Sequence, residues 1–450
     1  MSVQSVTWFD RDAQFDHYGG SRLPFGCTGA DGLVQQFVEL DTGRQFDVLD
    51  ASGAYGSACL GAGSPVIASA LSESVRTEGY VSDEIASQAR STMLEGLFGA
   101  GGLFTDRFPI SEYAVSGRNS GSEGMELALR FALESRFDGR RLRAAAGAER
   151  RDLVLAFEGA WHGWSGGLLP LLNRRHYRIG LPEVAAEPFG LTVEHIPFGH
   201  SETARDWFAR NGERVLAVVV EPVQGDAGIL VPPQGYLREL AALAAASGAV
   251  LVADEVLTFA KTGQLFAMTD EQGPIATDLT VIGKSLGMGA LSTSMVIARR
   301  SLGIRATGAV ATSDLRPLTC AVIRAGLDHI VAEDFLGRSA SNGAELGRLL
   351  DEQLVTAFPD VFSEARGIGY LHGVELTEQA AGRSGELREC MIRAGVYVEL
   401  MSGAGRRSHG LRYLYPTMRV APPLVATRTD LQTMVERLVA GAAAYRRALG

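Results

Sequence analysis

Four short apolar runs recur through the middle of the chain: 153–157 (LVLAF), 215–220 (VLAVVV), 250–253 (VLVA) and 279–282 (LTVI). Runs of this length, apolar on successive residues, read as strands buried on both faces. Helical spacing appears between them. Met125, Ala128, Leu129, Ala132 and Leu133 recur at intervals of three and four, which predicts a helix over about 122–136. The stretch Leu240 to Ala253, broken at Ser247-Gly248, reads as a helix running into a strand, too short to span a bilayer. Strands alternating with helices predict an α/β fold around a mostly parallel sheet.

At 450 residues the chain exceeds a typical single domain, so two lobes are expected. From about residue 325 helical patterns dominate as far as Leu350. Two strand pieces around a turn follow in Arg366–Leu376, then a closing helix over 427–448. We expect a large domain over 71–324, a smaller α+β domain over 325–450, and residues 1–70 packing beside the smaller one. The Ala/Gly-rich Arg143–Gly147 reads as an exposed connection. A net charge of −10 argues against a broad nucleic-acid or anionic-membrane surface. Four scattered cysteines, Cys27, Cys59, Cys320 and Cys390, lack metal-ligand spacing and read as reduced thiols. The opening Met1–Trp8 lacks the basic and apolar segments of a signal peptide, so a cytoplasmic location is expected.

The chemistry gathers where the strands end. Forty arginines accompany only two lysines, Lys261 and Lys284. Arginine stays protonated, whereas lysine can lose its proton and act as a nucleophile, so a retained lysine marks a task arginine cannot perform. Lys284 follows the last apolar run at a glycine-rich turn. Glu221-Pro222 and Asp254-Glu255 end two of the other runs, which places three ionisable groups along one rim of the sheet. Asn119-Ser120-Gly121-Ser122-Glu123-Gly124 precedes the helix at Met125 and reads either as a plain N-cap or as a phosphate cup. Trp161-His162-Gly163-Trp164 follows the first run. Trp161 and Val256 are candidates to cover the two faces of a planar ring, and His162 reads as hydrogen-bonded scaffold or proton shuttle. A lysine, a carboxylate for a ring nitrogen and a phosphate cup form the set that a pyridoxal phosphate (PLP) site requires.

These motifs, in this order and over roughly Phe37–Leu424, resemble the class III (ω-type) aminotransferases of PLP fold type I, which include glutamate-1-semialdehyde aminomutase. Asp41–Asp50 with Leu60–Pro65 is similar to that family's opening hairpin and the turn before its first helix. The resemblance implies a seven-stranded, mostly parallel sheet in the large domain. It implies that Lys284 carries PLP as a Schiff base and moves the substrate proton. Asp254 would pair with the ring nitrogen, Trp161 and Val256 would sandwich the ring, and Gly121 and Ser122 would bind phosphate. His162 joins the cofactor-binding set, and Glu221 would lie near the ring hydroxyl and the substrate. Thr312 matches a threonine that reaches the neighbouring subunit's phosphate, implying a homodimer with shared sites. Arg419 is the candidate clamp for a substrate carboxylate. Tyr55, Tyr80 and Trp164 are candidates to line the substrate pocket.

Four residues depart from the family pattern. Leu257 stands where many members carry glutamine, Lys261 replaces arginine, Gly124 replaces alanine, and Arg316 replaces the asparagine before Pro317. The expected activity is transfer of an amino group from glutamate or alanine to an aldehyde or ketone, including an amino-sugar or natural-product intermediate. Two alternatives stay open. An aminomutase, racemase, epimerase or elimination enzyme would use the same proton removal without net transfer. A non-catalytic PLP-binding protein would be expected to have lost Lys284 or Asp254.

Overall fold

The computed structural model describes residues 23–82, 84–138, 143–144, 151–173, 191–305, 309–403 and 415–449. The opening Met1–Trp8 and residues 145–147 of the Ala/Gly-rich connection lie outside them. The chain begins with an antiparallel meander, β1 (Phe25–Asp31), β2 (Val34–Glu39) and β3 (Gln45–Asp50). Helices α1 (Pro65–Thr77) and α2 (Gln88–Phe98) lead into a sheet built from β4 (Tyr113–Arg118), β5 (Leu153–Phe157), β6 (Thr192–Ile196), β7 (Val215–Val220), β8 (Val250–Glu255), β9 (Leu279–Ile282) and β10 (Ser294–Arg299).

The seven strands lie in the order β4-β10-β9-β8-β7-β5-β6. Every neighbouring pair is parallel except those made by β10, which runs antiparallel to β9 and β4. Helices α3 (Gly121–Glu134), α4 (Ser201–Asn211) and α5 (Tyr236–Ser247) cover the sheet. The period of two is visible within each run. On β5, Val154 and Ala156 pack against Met125, Ala128 and Phe131 of α3, while Leu153, Leu155 and Phe157 join Trp207 of α4 and Leu240 of α5. Both faces are therefore buried, which is why these strands read as continuous apolar runs rather than alternating ones. Each fully buried aliphatic side chain contributes about 1.5–3 kcal/mol.

The C-terminal part contains α6 (Pro317–Ala332), α7 (Phe335–Leu350), β11 (Phe362–Ile368), β12 (Leu371–Leu376), α8 (Ser384–Arg393), β13 (Val396–Tyr397), β14 (Glu399–Met401), β15 (Thr417–Val420) and α9 (Arg428–Leu449). The helical stretch ending at Leu350 is broken at Asp334, whose φ of 49° lies in the left-handed region. Strands β11, β12, β15 and β14 form an antiparallel sheet in that order. Strand β13 leaves it and pairs in parallel with β3, setting Val396 beside Leu49 and Tyr397 beside Asp50. That pairing brings the N-terminal meander against the C-terminal segment and carries Asp50 to the edge of the site. Among the described residues no helix is long and apolar enough to cross a membrane, and no cluster of His, Cys, Asp and Glu could hold a metal.

Candidate active site

Parallel strands end on one side of a sheet, so residues just past β5, β7, β8 and β9 share one rim, with adjacent strands about 5 Å apart. Lys284 lies two residues past β9, Asp254 is the penultimate residue of β8, and Glu221 directly follows β7. Trp161 and His162 lie in the loop after β5.

Asp254 accepts a hydrogen bond from Val256 N–H at 3.1 Å, and its other oxygen lies 2.8 Å from His162 Nδ1. Held this way, His162 Nδ1 fixes the Asp254 carboxylate in place, and its Nε2 is buried without a partner. Glu255, one residue on, points to the opposite face. It accepts from Thr258 Oγ1 and from the Ala267 and Met268 N–H groups, bolting the following loop in place. Of the two acids, only Asp254 is bonded to His162 in the loop after β5.

Glu221 accepts from Trp161 N–H at 2.8 Å and Gly225 N–H at 3.1 Å, joining the β5 and β7 loops. Burial pushes its carboxyl up to about 7, against the opposing pull of His162. Lys284 has a φ of 43°, an unusual conformation for a residue with a side chain, and opens a short turn to Gly287. Burial, and next the positive charge of Arg419, bring its ammonium down to about 8. Glu221, Asp254 and Asp226 pull in the other direction. About a tenth of such an amine is neutral at pH 7, against well under a thousandth for an ordinary lysine.

The cup at the start of α3 is built from close contacts. Ser120 Oγ caps the helix by accepting from Glu123 N–H at 3.2 Å, and Glu123 accepts in return from the N–H of Asn119, the residue before the cap, at 3.1 Å. The first-turn N–H groups of Gly121 and Ser122 have no acceptor within the helix. A Cβ on Gly121 would lie 2.6 Å from Val256 Cγ1. One on Gly163, where φ is 116°, would lie 2.4 Å from Ser122 Oγ. The two glycines let the β8 and β5 loops close onto the helix start. Trp161 packs on Leu169 and Leu172 and meets Trp164 edge to face at 5.2 Å.

The departures from the family pattern find physical reasons here. Leu257 is buried with Val223, Ile229, Leu371 and Ala421, so no polar group is called for there. A Cβ on Gly124 would sit 2.7 Å from Ser294 Oγ, which excludes alanine in this packing. Arg316 is stacked over Tyr80 at 4.9 Å and donates to Thr312 C=O. Lys261 is fully buried, its Nζ has no hydrogen-bond partner, and burial lowers its pKa.

The remaining candidates spread outward. Trp164 and Tyr55 are 60% and 52% exposed, and Thr312 is exposed in a turn. Arg419, on β15, is buried with its guanidinium 5.6 Å from the centre of the Tyr55 ring. Its charge reaches Lys284, yet it is already ion-paired with Glu399 on β14. Glu399 in turn accepts from Ser52 Oγ at 2.6 Å and Tyr55 N–H at 3.0 Å. Sequence reasoning missed Glu399 and Ser52. The available signal was a lone acid in the otherwise apolar run 396–401 (VYVELM).

A single lysine, a buried carboxylate held by histidine, and a glycine-lined helix start on one rim define a PLP enzyme of fold type I. The aminotransferase class-III family model matches residues 32–441, and the chain belongs to that family. It is a PLP-dependent aminotransferase. It is 28% identical over 429 residues to ornithine aminotransferase 2 of Staphylococcus saprophyticus, covering 94% of this chain and 96% of that one. The ornithine aminotransferase of Toxoplasma gondii superposes with a TM-score of 0.82 at 20% identity, over 98% of this chain and 94% of that one. An (S)-enantioselective omega-transaminase from Thermomicrobium roseum gives 0.80 at 21% identity, over 99% of each chain.

Proposed function

We propose that the chain moves an amino group between an amine and an aldehyde or ketone at the rim carrying Lys284, Asp254 and Glu221. The observation that carries this reading is Lys284 itself, a site lysine brought down to about 8 beside a buried, histidine-held carboxylate. When bound, PLP supplies an electron-withdrawing ring that takes up the electron pair left when a proton leaves the amine-bearing carbon.

The chain's residues do the rest. Lys284 Nζ, partly neutral near pH 7, would hold the cofactor, and as a free amine it would serve as the base that moves the substrate proton. Asp254, held in place by His162 and the Val256 N–H, would pair with the ring nitrogen. Gly121 and Ser122 would hold the phosphate through first-turn N–H groups and the Ser122 hydroxyl, where the helix start favours an anion. Trp161 and Val256 would cover the ring faces and exclude water. Glu221, its carboxyl raised to about 7 by burial, would lie near the ring hydroxyl and could hold or release a proton at neutral pH.

Thr312 completes the phosphate cup of a second copy, making the working unit a homodimer. The exposed Val310 and the Tyr80–Arg316 stack beside it support that assembly. We place the enzyme in the cytoplasm, consistent with its four free thiols.

The test is the visible absorption spectrum of the PLP-loaded protein, recorded with a panel of amines and no carbonyl acceptor. Loss of the visible band, with its return on adding an aldehyde or ketone, is the expected outcome. A band that persists against every amine, while the substrate is racemised or rearranged instead, would overturn the reading.

A further inference from the structure

The segment after Glu221 is a small closed hairpin over 224–230. Gln224 and Leu230 exchange both of their backbone hydrogen bonds, at 3.1 and 2.9 Å, and residues 225–229 form the tip. The tip is held under strain. Ile229 is fully buried with a φ of 55°, a left-handed backbone that a β-branched residue seldom adopts, and Gly228 has a φ of 110°. Such a conformation persists only where its surroundings enforce it.

The enforcing group comes from the C-terminal sheet. Arg366 on β11 donates through Nε to Gly228 C=O at 2.7 Å, through Nη1 to Glu375 at 2.7 Å and through Nη2 to Thr417 Oγ1 at 3.3 Å. Its guanidinium fork thus joins β12 and β15 to the hairpin tip. Glu375 is fully buried and also accepts from Tyr415 N–H at 3.2 Å, while the more exposed Glu364 lies 3.2 Å from Nη1. Gly373 stands opposite Arg366 in the β11–β12 register, and a Cβ there would lie 2.9 Å from Gly228 O. Its bare backbone lets the hairpin come this close.

The hairpin in turn reaches the rim. Gly225 N–H is one of the two backbone donors on Glu221. A Cβ on Gly225 would lie 2.1 Å from Leu257 Cδ2 and 3.7 Å from Glu221 Oε2, so the tip packs closely on both. Burial acts most strongly on the Lys284 amine and lowers its pKa. The Arg419 charge, from β15, adds to that, while Glu221, Asp254 and the hairpin's own Asp226 favour the ammonium.

We propose that Arg366, seated on Glu375, is a positioning residue for the rim: by pinning Gly228 it holds the 224–230 hairpin closed beside Glu221 and Lys284. The inference rests on the reading that these two residues share one amino-transfer site. Arg366 acts through the hairpin and not on the reacting atoms. Without the pin the strained tip relaxes, the Gly225 donor leaves Glu221, and water reaches the lysine.

The experiment removes the pin without stranding a charge. Arg366→Met combined with Glu375→Gln takes away both halves of the buried pair, which proteins often tolerate, whereas losing one half leaves the other uncompensated. Gly228→Ala attacks the same contact from the hairpin side, because its Cβ would lie 2.5 Å from Thr417 Oγ1 and 2.7 Å from Arg366 Nη2. In the full-length apoenzymes, Lys284 is titrated by trace acetylation with acetic anhydride across about pH 6–11, and the peptide that carries it is weighed. Only the neutral amine reacts, so the labelling midpoint follows the amine's pKa.

The wild-type midpoint is expected at about 8. Both variants should move it up by about one unit toward the value of an exposed lysine, cutting the labelling rate at neutral pH about tenfold. A midpoint that stays or falls, in a variant with the wild-type circular dichroism spectrum, overturns the proposal. So does failure of both variants to fold, because the contact would then serve the fold alone. The labelling uses neither cofactor nor substrate, so it decides the role of Arg366 even where the spectral test overturns amino transfer.

Discussion

The sheet rim and the wall formed by β14 and β15 are both built from buried charges, and they differ in how those charges are satisfied. On the rim, Asp254 is held by His162 and a backbone N–H, and Glu221 by two backbone N–H groups. Lys284 stands beside them with its pKa lowered, free to change protonation state. On the wall, Glu399 and Arg419 are ion-paired and Glu399 is tied to Ser52 Oγ and Tyr55 N–H, while Arg419 Nε is buried without a hydrogen-bond partner. The comparison separates reactive charge from structural charge. Orientation by neutral donors leaves a group able to exchange protons and meet a ligand, whereas a buried ion pair holds both partners in one state.

The sharpest way to break this comparison is to remove the rim carboxylate. Asp254→Ala is expected to lower kcat about 10²–10³-fold, because the carboxyl group proposed to pair with the ring nitrogen is lost. Steady-state kinetics on the refolded, PLP-loaded variant checks this. A tenfold change or less would place Asp254 with the structural charges.

Protonation sharpens the same contrast. Lys284 must be neutral to attach the cofactor, and its pKa is lowered to about 8. The rate at which apoenzyme takes up PLP should therefore climb about tenfold per pH unit below 8 and level off above it. The stability sign follows from linkage. Between about 8 and the unfolded value of 10.5 the unfolded chain binds the extra proton, so Lys284 makes the apoenzyme more stable as pH rises through that window. A climb continuing to pH 10 would show an ordinary lysine.

The smallest effect concerns the second lysine. Lys261 is enclosed with no hydrogen-bond partner. Replacing it with methionine, of similar length and without charge, should raise stability by about 1 kcal/mol in a denaturant titration. A loss of 3 kcal/mol or more would reveal a compensated charge there.

What could be read from the sequence follows from the same division. The rim was legible because parallel strands deliver their ends to one edge, so Glu221, Asp254 and Lys284 are found by reading where apolar runs stop. The sheet itself was legible because burial on both faces leaves unbroken runs such as 215–220. The wall was not legible, because Glu399 meets Ser52 across 347 positions and is set against Arg419 by strand register. Neither distance nor register is written in local composition. The break at Asp334 was hidden for a related reason: the apolar pattern continues through it, and only the backbone shows the left-handed residue. Arg419 was found by its motif, but the motif could not show that its partner comes from within the chain.

With only two lysines in the sequence, the central claim admits a direct measurement. The PLP-loaded protein is reduced with borohydride, digested, and its peptides weighed. The cofactor mass is predicted on the peptide carrying Lys284, with the peptide carrying Lys261 unmodified. Cofactor on Lys261, or on neither lysine, would contradict the account.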